Sequence, residues 1–121
     1  MIPKFRAWDK NTNDMVNVKT IDLEKDGSIG CIVDYNGINL DVSECVIMQS
    51  TGLKDEKRKM IFEGDILFDK HHNPQIGVVV FYEGAFQLLA NNMYYPLIQF
   101  DGDVEIIGNI HENPELLEET E

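Results

Sequence analysis

Basic residues are nearly missing from the second half of this 121-residue chain: from Ile61 to Glu121 a single cation, Lys70, stands against twelve aspartates and glutamates. The segments 1–53, 54–60 and 61–121 carry formal charges of −3, +2 and −11. A phosphate backbone within a Debye length of ~8 Å is repelled by that much negative charge, which disfavours non-specific nucleic-acid binding by the latter half. Cysteine is scarce, with only Cys31 and Cys45. The opening "MIPKFRAWDK" has no charged head followed by a long apolar run, so no secretion signal is read and a cytoplasmic location is expected. In that compartment two cysteines read as reduced thiols rather than a bridge. No run approaches the ~20 apolar residues of a membrane span. No repeat and no Gly/Ser or Pro-rich linker is visible, and no catalytic, cofactor or nucleotide motif stands out.

What is present is a series of short apolar runs separated by turn signals, the pattern of an all-β chain. At 43% hydrophobic and 13.9 kDa the chain suits one domain or two small lobes. "KFRAW" is broken by "KNTND", and "KDGS" at 25–28 offers an Asp-Gly turn. Asn36-Gly37 predicts a type I′ hairpin, in which both central residues take positive φ. "ECVIMQST" is apolar on both faces and crosses the core. "VVVFY" is apolar on both faces too and is expected to be central or covered, since an open edge of that composition aggregates. After it come turns at "EG", "NN" and "DGD", the last following a strand over "MYYPLIQF". Asn73-Pro74 places "DKHHNPQ" in a loop. A short helix is expected in "HENPELLEE", with Asn113 as cap and Pro114 in its first turn. A competing short helix around Val42–Cys45 has Ser43 as its cap. The reading is therefore mainly β, with short antiparallel strands and a small meandering barrel after the basic stretch. It divides the chain into an N-terminal β lobe, 1–53, and a C-terminal lobe, 54–121, that ends in a helical turn.

The basic stretch itself, "TGLKDEKRK", holds Lys54, Lys57, Arg58 and Lys59. As a local feature it is a polar connection between strands, and its lysines blunt a sheet edge. As a functional feature it is a small cationic knob for phosphate or an acidic partner. Asp55 and Glu56 offset half its charge, and the turn is the favoured reading.

Three blocks, "FRAWDKNTNDMV", "MQSTGLKDEKRKMIFEGDIL" and "VEIIGNIHENPELL", span nearly the whole sequence and together resemble the YopX family of small phage and prophage proteins. The resemblance implies a mostly β protein with an SH3-like barrel in its C-terminal part, encoded by a phage or prophage of a bacterium. It carries no known activity with it. Where the family commonly has an Asn-Gly type turn in the central block, this chain has "DEKRK", so the turn there must be longer than two residues or avoid a pair of positive-φ positions.

Residues with chemical potential are few. His71 and His72 are adjacent and point to opposite sides of an extended segment, and His111 lies forty positions on, so they read as structural or solvent histidines rather than zinc ligands. Glu63 and Asp65 would share a strand face, and Asp101, Asp103 and Glu105 crowd a turn. Asp65 reads as a strand start that accepts backbone hydrogen bonds. "DGD" lacks the remainder of a calcium loop. Among the aromatics, Tyr82, Tyr94 and Tyr95 form a candidate peptide platform, with Tyr94 and Tyr95 facing opposite ways so that one is exposed.

Three functions compete. A non-enzymatic protein-interaction module with an acidic surface, engaging a host or phage protein, is the leading one. Its candidate contacts are Lys54, Lys57, Arg58, Lys59, Tyr82, Tyr94 and Tyr95, with no catalytic residue, metal or cofactor, and a homo-oligomer is compatible with it. A nucleic-acid-binding small barrel would use the basic turn, but its aromatics would have to be interleaved with Lys and Arg rather than with acids. An enzyme on a small molecule would need an apolar pocket with convergent polar groups.

Overall fold

Short alternating runs become strands in the computed structural model, which describes residues 3–71 and 75–118. In chain order the strands are β1 (Phe5–Asp9), β2 (Asp14–Leu23), β3 (Ile29–Asp34), β4 (Asn39–Asp41), β5 (Cys45–Lys54), β6 (Met60–Phe62), β7 (Asp65–Asp69), β8 (Gln75–Tyr82), β9 (Ala85–Ala90), β10 (Met93–Pro96) and β11 (Glu105–Asn109), followed by α1 (Glu115–Glu118). Two 3₁₀ turns, Val42–Glu44 and Leu97–Phe100, interrupt them. The chain divides into two units inside β5, between Gln49 and Ser50. The "DKHHNPQ" loop expectation falls partly on 72–74, outside the described residues.

In the first unit β1 to β4 and the start of β5 form antiparallel neighbours in the order β4-β3-β2-β1-β5. Ala7, Ile32, Leu40 and Cys45 fill its core, with Val16, Val18, Ile21, Ile29 and Ile47 against them. The Asn36-Gly37 turn differs from the type I′ expectation. Only Gly37 takes positive φ, at 82°. The reason is the buried Asp34, whose Oδ1 accepts from both Asn36 N and Ile38 N at 2.9 Å and holds a four-residue connection in place of a two-residue one. Val42–Glu44 is a short helix, but its cap is Asp41 rather than Ser43: Asp41 Oδ1 accepts from Ser43 N, while Glu44 Oε1 accepts from Asp41 N. That reciprocal pair is a capping box, legible as D-x-x-E.

In the second unit the strand order is β10-β9-β8-β7-β11, and β6 pairs with the latter part of β5. β8, which carries "VVVFY", lies between β7 and β9 as its two-sided apolar sequence requires. The hairpins at Glu83-Gly84 and Asn91-Asn92 both have two positive-φ residues, at 51° and 81° and at 53° and 62°. These, not Asn36-Gly37, are the tight two-residue connections; Tyr82 pairs with Ala85 and Ala90 with Met93 across them. Ile61, Leu67, Val79, Leu88, Leu97, Phe100 and Val104 make the core. A fully buried leucine or valine there stabilises the fold by about 2 kcal/mol.

The sheet does not close into the expected SH3-like barrel. β10 and β11 are its opposite edges. β10 stops at Pro96, which has no N–H to continue a ladder, and the next residues curl into the 3₁₀ turn that buries Leu97 and Phe100 in the core. "MYYPLIQF" is therefore half strand and half 3₁₀ turn. "DGD" is a turn, as its residues suggest, but the strands before and after it, β10 and β11, do not pair across it. It docks on the end of β5, where Lys54 N donates to Asp101 Oδ1 (3.1 Å) and Gly102 N donates to Lys54 O (2.8 Å).

Glu63 lies in a turn rather than on a strand face with Asp65. Asp65 is buried at the start of β7 and its Oδ2 accepts from Phe62 N at 2.8 Å, the strand-start role its position suggested. Between them Gly64, at φ 89°, donates its N–H to Val79 O and accepts from Ile110 N, tying this turn to β8 and to the end of β11. At the C-terminal end Asn113 Oδ1 accepts from Asn109 N (3.2 Å), and its backbone carbonyl accepts from Leu116 N at the start of α1. A β-carbon at Gly108 would sit 2.6 Å from that Asn113 oxygen, so the approach requires glycine.

Candidate functional site

The basic stretch folds as a five-residue connection, 55–59, between β5 and β6. Asp55 is buried beneath it and organises it. Its Oδ1 accepts from Lys57 N (2.9 Å) and Lys59 N (2.8 Å), and its Oδ2 from Ile106 N (3.4 Å). Arg58 alone takes positive φ, at 68°. The connection is thus longer than a two-residue hairpin, as the missing glycine demanded. Lys54, Lys57, Arg58 and Lys59 are all exposed. Lys57 Nζ pairs with Glu105 at 3.2 Å. Beside the turn, Glu56 accepts from Lys70 Nζ, and that contact raises the Lys70 pKa above its ordinary value.

The three tyrosines separate. Cross-strand register sets Tyr95 opposite Leu88, which itself lies opposite core Val79. Tyr95 is accordingly half-buried and meets Phe100 edge-on, with ring centroids 6.4 Å apart. Tyr94, one position earlier, takes the other face, opposite Leu89. There it stacks on Tyr82 with centroids 4.1 Å apart and planes 10° from parallel. The two rings remain 43% and 42% exposed, so the pair is formed and open to solvent.

Sequence reasoning missed three other features of this region. Phe81, whose ring meets Phe86 with centroids 5.1 Å apart, and Met93, at the start of β10, are 56% and 57% exposed. A cavity of about 540 Å³ is lined by Ile76, Val78, Leu89, Ala90, Asn91, Asn92 and Leu117. Its only signal in the sequence was the two-sided apolar character of β8, which left open what covers the second side.

His71 is exposed and donates its N–H to Asp69 Oδ1, while His111 N donates to Asn109 Oδ1; His72 lies outside the described residues. Among the described residues no three His, Cys, Asp or Glu side chains converge as a metal site, and no helix is long and apolar enough to cross a membrane. Cys31 and Cys45 are free thiols. Burial raises both pKa values, with Asp22 adding to the effect at Cys31 through a 3.4 Å contact.

A family model described as YopX protein matches residues 4–118. The chain belongs to the YopX family. Among solved structures, protein EF1440 from Enterococcus faecalis is 32% identical over 97% of this YopX-family chain and 99% of its own, with a TM-score of 0.74. Protein yopX from Bacillus subtilis shares the fold at 19% identity, covering 94% of this chain and 97% of that one, with a TM-score of 0.65. No curated protein matches the chain.

Proposed function

We propose that this YopX-family chain is a non-enzymatic protein-interaction module, encoded by a phage or prophage and acting in the bacterial cytoplasm on a host or phage protein. The observation that carries the reading is the exposed, parallel Tyr82–Tyr94 pair. Stacked tyrosines offer flat apolar area at little conformational cost, with hydroxyl groups at the rim, and such residues anchor protein interfaces. Exposed Glu83, Asp101, Asp103, Glu112 and Glu115 belong to the same unit and favour a basic partner. The basic turn supports a nucleic-acid reading less well, since Lys57 is paired with Glu105 and the exposed tyrosine pair adjoins Glu83 rather than lysine or arginine.

Affinity capture from lysate of the organism that encodes the chain tests this. A discrete protein should be recovered by the wild type and by a Lys57→Ser/Arg58→Ser/Lys59→Ser variant, and lost with Tyr82→Ala/Tyr94→Ala. Recovery that depends on the basic turn instead, or a salt-sensitive shift of DNA or RNA, would move the function to the turn.

A further inference from the structure

Cross-strand register joins the tyrosine pair to the cavity. Val78 of β8 lies opposite Leu89 of β9, and Leu89 lies opposite Tyr94 of β10, so these three side chains form one row across one face of the sheet. Tyr82, an even number of positions along β8 from Val78, shares that face and closes over Tyr94. At the Val78–Leu89 end the row opens into the 540 Å³ cavity, whose far wall is Leu117 of α1. Val78 and Leu89 are only half-buried. The face is thus a groove of mixed lining, with Ile76, Val78, Leu89 and Leu117 beside Asn91 and Asn92, that runs from α1 to the two exposed tyrosine rings.

We propose that this groove receives an extended segment of a partner protein in which apolar side chains alternate with arginine or lysine. The inference rests on the interaction reading above and names the partner's chemistry. Three features select that occupant. β10 is an edge strand, so an extended chain can lie beside it and send alternate side chains into the groove. A cavity of this volume has room for the aliphatic side chains of an extended segment, and the outer faces of the stacked Tyr82 and Tyr94 rings attract a guanidinium. Exposed acids stand at both ends, Glu83 next to Tyr82 and Glu115 on the same short helix as Leu117. A second copy of this chain would bring like charge to the same place, which disfavours self-association there.

The test uses the whole chain and three short fluorescent peptides of alternating Arg-Leu, Glu-Leu and Arg-Ser. The Arg-Leu peptide should bind saturably and move the NMR signals of Leu89, Leu117, Tyr82 and Tyr94, with the other two at least ~10-fold weaker, as expected for a site that needs both a charge and an apolar anchor. Tyr82→Ala/Tyr94→Ala should weaken the Arg-Leu peptide by a similar factor, with its fold checked by circular dichroism. The shifts in the wild type decide the matter even where that variant fails to fold. Equal binding of the Glu-Leu peptide, shifts outside the groove, or no binding overturns the proposal. If lysate capture still depends on the tyrosines, only the partner chemistry falls; if capture fails as well, the interaction reading falls with it.

Discussion

Asp55 and Lys59 are joined twice, Asp55 N donating to Lys59 O at 2.9 Å and Lys59 N donating to Asp55 Oδ1 at 2.8 Å. The buried acid, not the surrounding cations, is what shapes the basic turn. Asp55→Ala leaves the N–H groups of Lys57 and Lys59 without their acceptor and should destabilise the fold by about 3 kcal/mol, whereas Asp55→Asn, which keeps one oxygen, should cost about 1 kcal/mol. Lys57→Ser/Arg58→Ser/Lys59→Ser should change stability by less than about 1 kcal/mol. Urea unfolding of the three variants measures the order; a basic-turn triple as damaging as Asp55→Ala contradicts it.

Gly64 holds φ 89° while both its N–H and its carbonyl are engaged. A side chain in that left-handed conformation costs about 1–2 kcal/mol. Gly64→Ala should lower the thermal midpoint accordingly, and Gly84→Asn, in a hairpin where asparagine tolerates the same region, should cost less. Calorimetry on the pair distinguishes a conformational requirement from simple crowding.

Acid should loosen the Val42–Glu44 turn. The backbone N–H and then the hydroxyl of Ser43, donating to Asp41, hold that carboxyl below its ordinary value of 3.8. A carboxyl with a depressed folded-state pKa contributes stability that is complete above the unfolded value and is lost as pH falls through the folded one. Ser43→Ala keeps the backbone N–H and removes only the hydroxyl, the smaller cause, so it should make the fall of the thermal midpoint below pH 3.8 shallower without abolishing it and leave the shape nearly unchanged at neutral pH. A parallel offset at all pH values would show that the contact is not charge-linked.

Both thiols should be poor nucleophiles in the folded chain. An ordinary thiol is only about 1% thiolate near pH 7, and burial lowers that further at Cys31 and Cys45. Reaction with a thiol-exchange reagent should be slow in buffer and fast in urea, with Cys45, the buried one, the slower of the two. Prompt labelling of either thiol under native conditions contradicts the placement.

Much of the fold was legible because β sequence patterns state it twice, in alternation and in turn residues. "VVVFY" required a central strand, and Tyr94 and Tyr95 had to face opposite ways. Turn type was harder to read, because it is set by neighbours as well as by the two residues in it. Asn36-Gly37 is overruled by the carboxylate of Asp34, while Glu83 accepts positive φ because the β8–β9 register demands a two-residue link. Barrel closure turned on Pro96 and on the burial of Leu97 and Phe100, which binary pattern alone reads as more strand. Of the candidate site, the sequence named Tyr82 and Tyr94 but not their contact, since no local spacing relates β8 to β10 across an intervening strand. The cavity needed Leu117 brought from the far end of the chain.

The most direct test of the interaction reading is site-specific photo-crosslinking in the organism that encodes the chain. A photoreactive phenylalanine analogue placed at Tyr94 should give a discrete crosslinked protein, and the same analogue at Tyr35, which is 70% exposed and stacks on no other ring among the described residues, should not. Equal products at both positions, or none at Tyr94, would contradict the account.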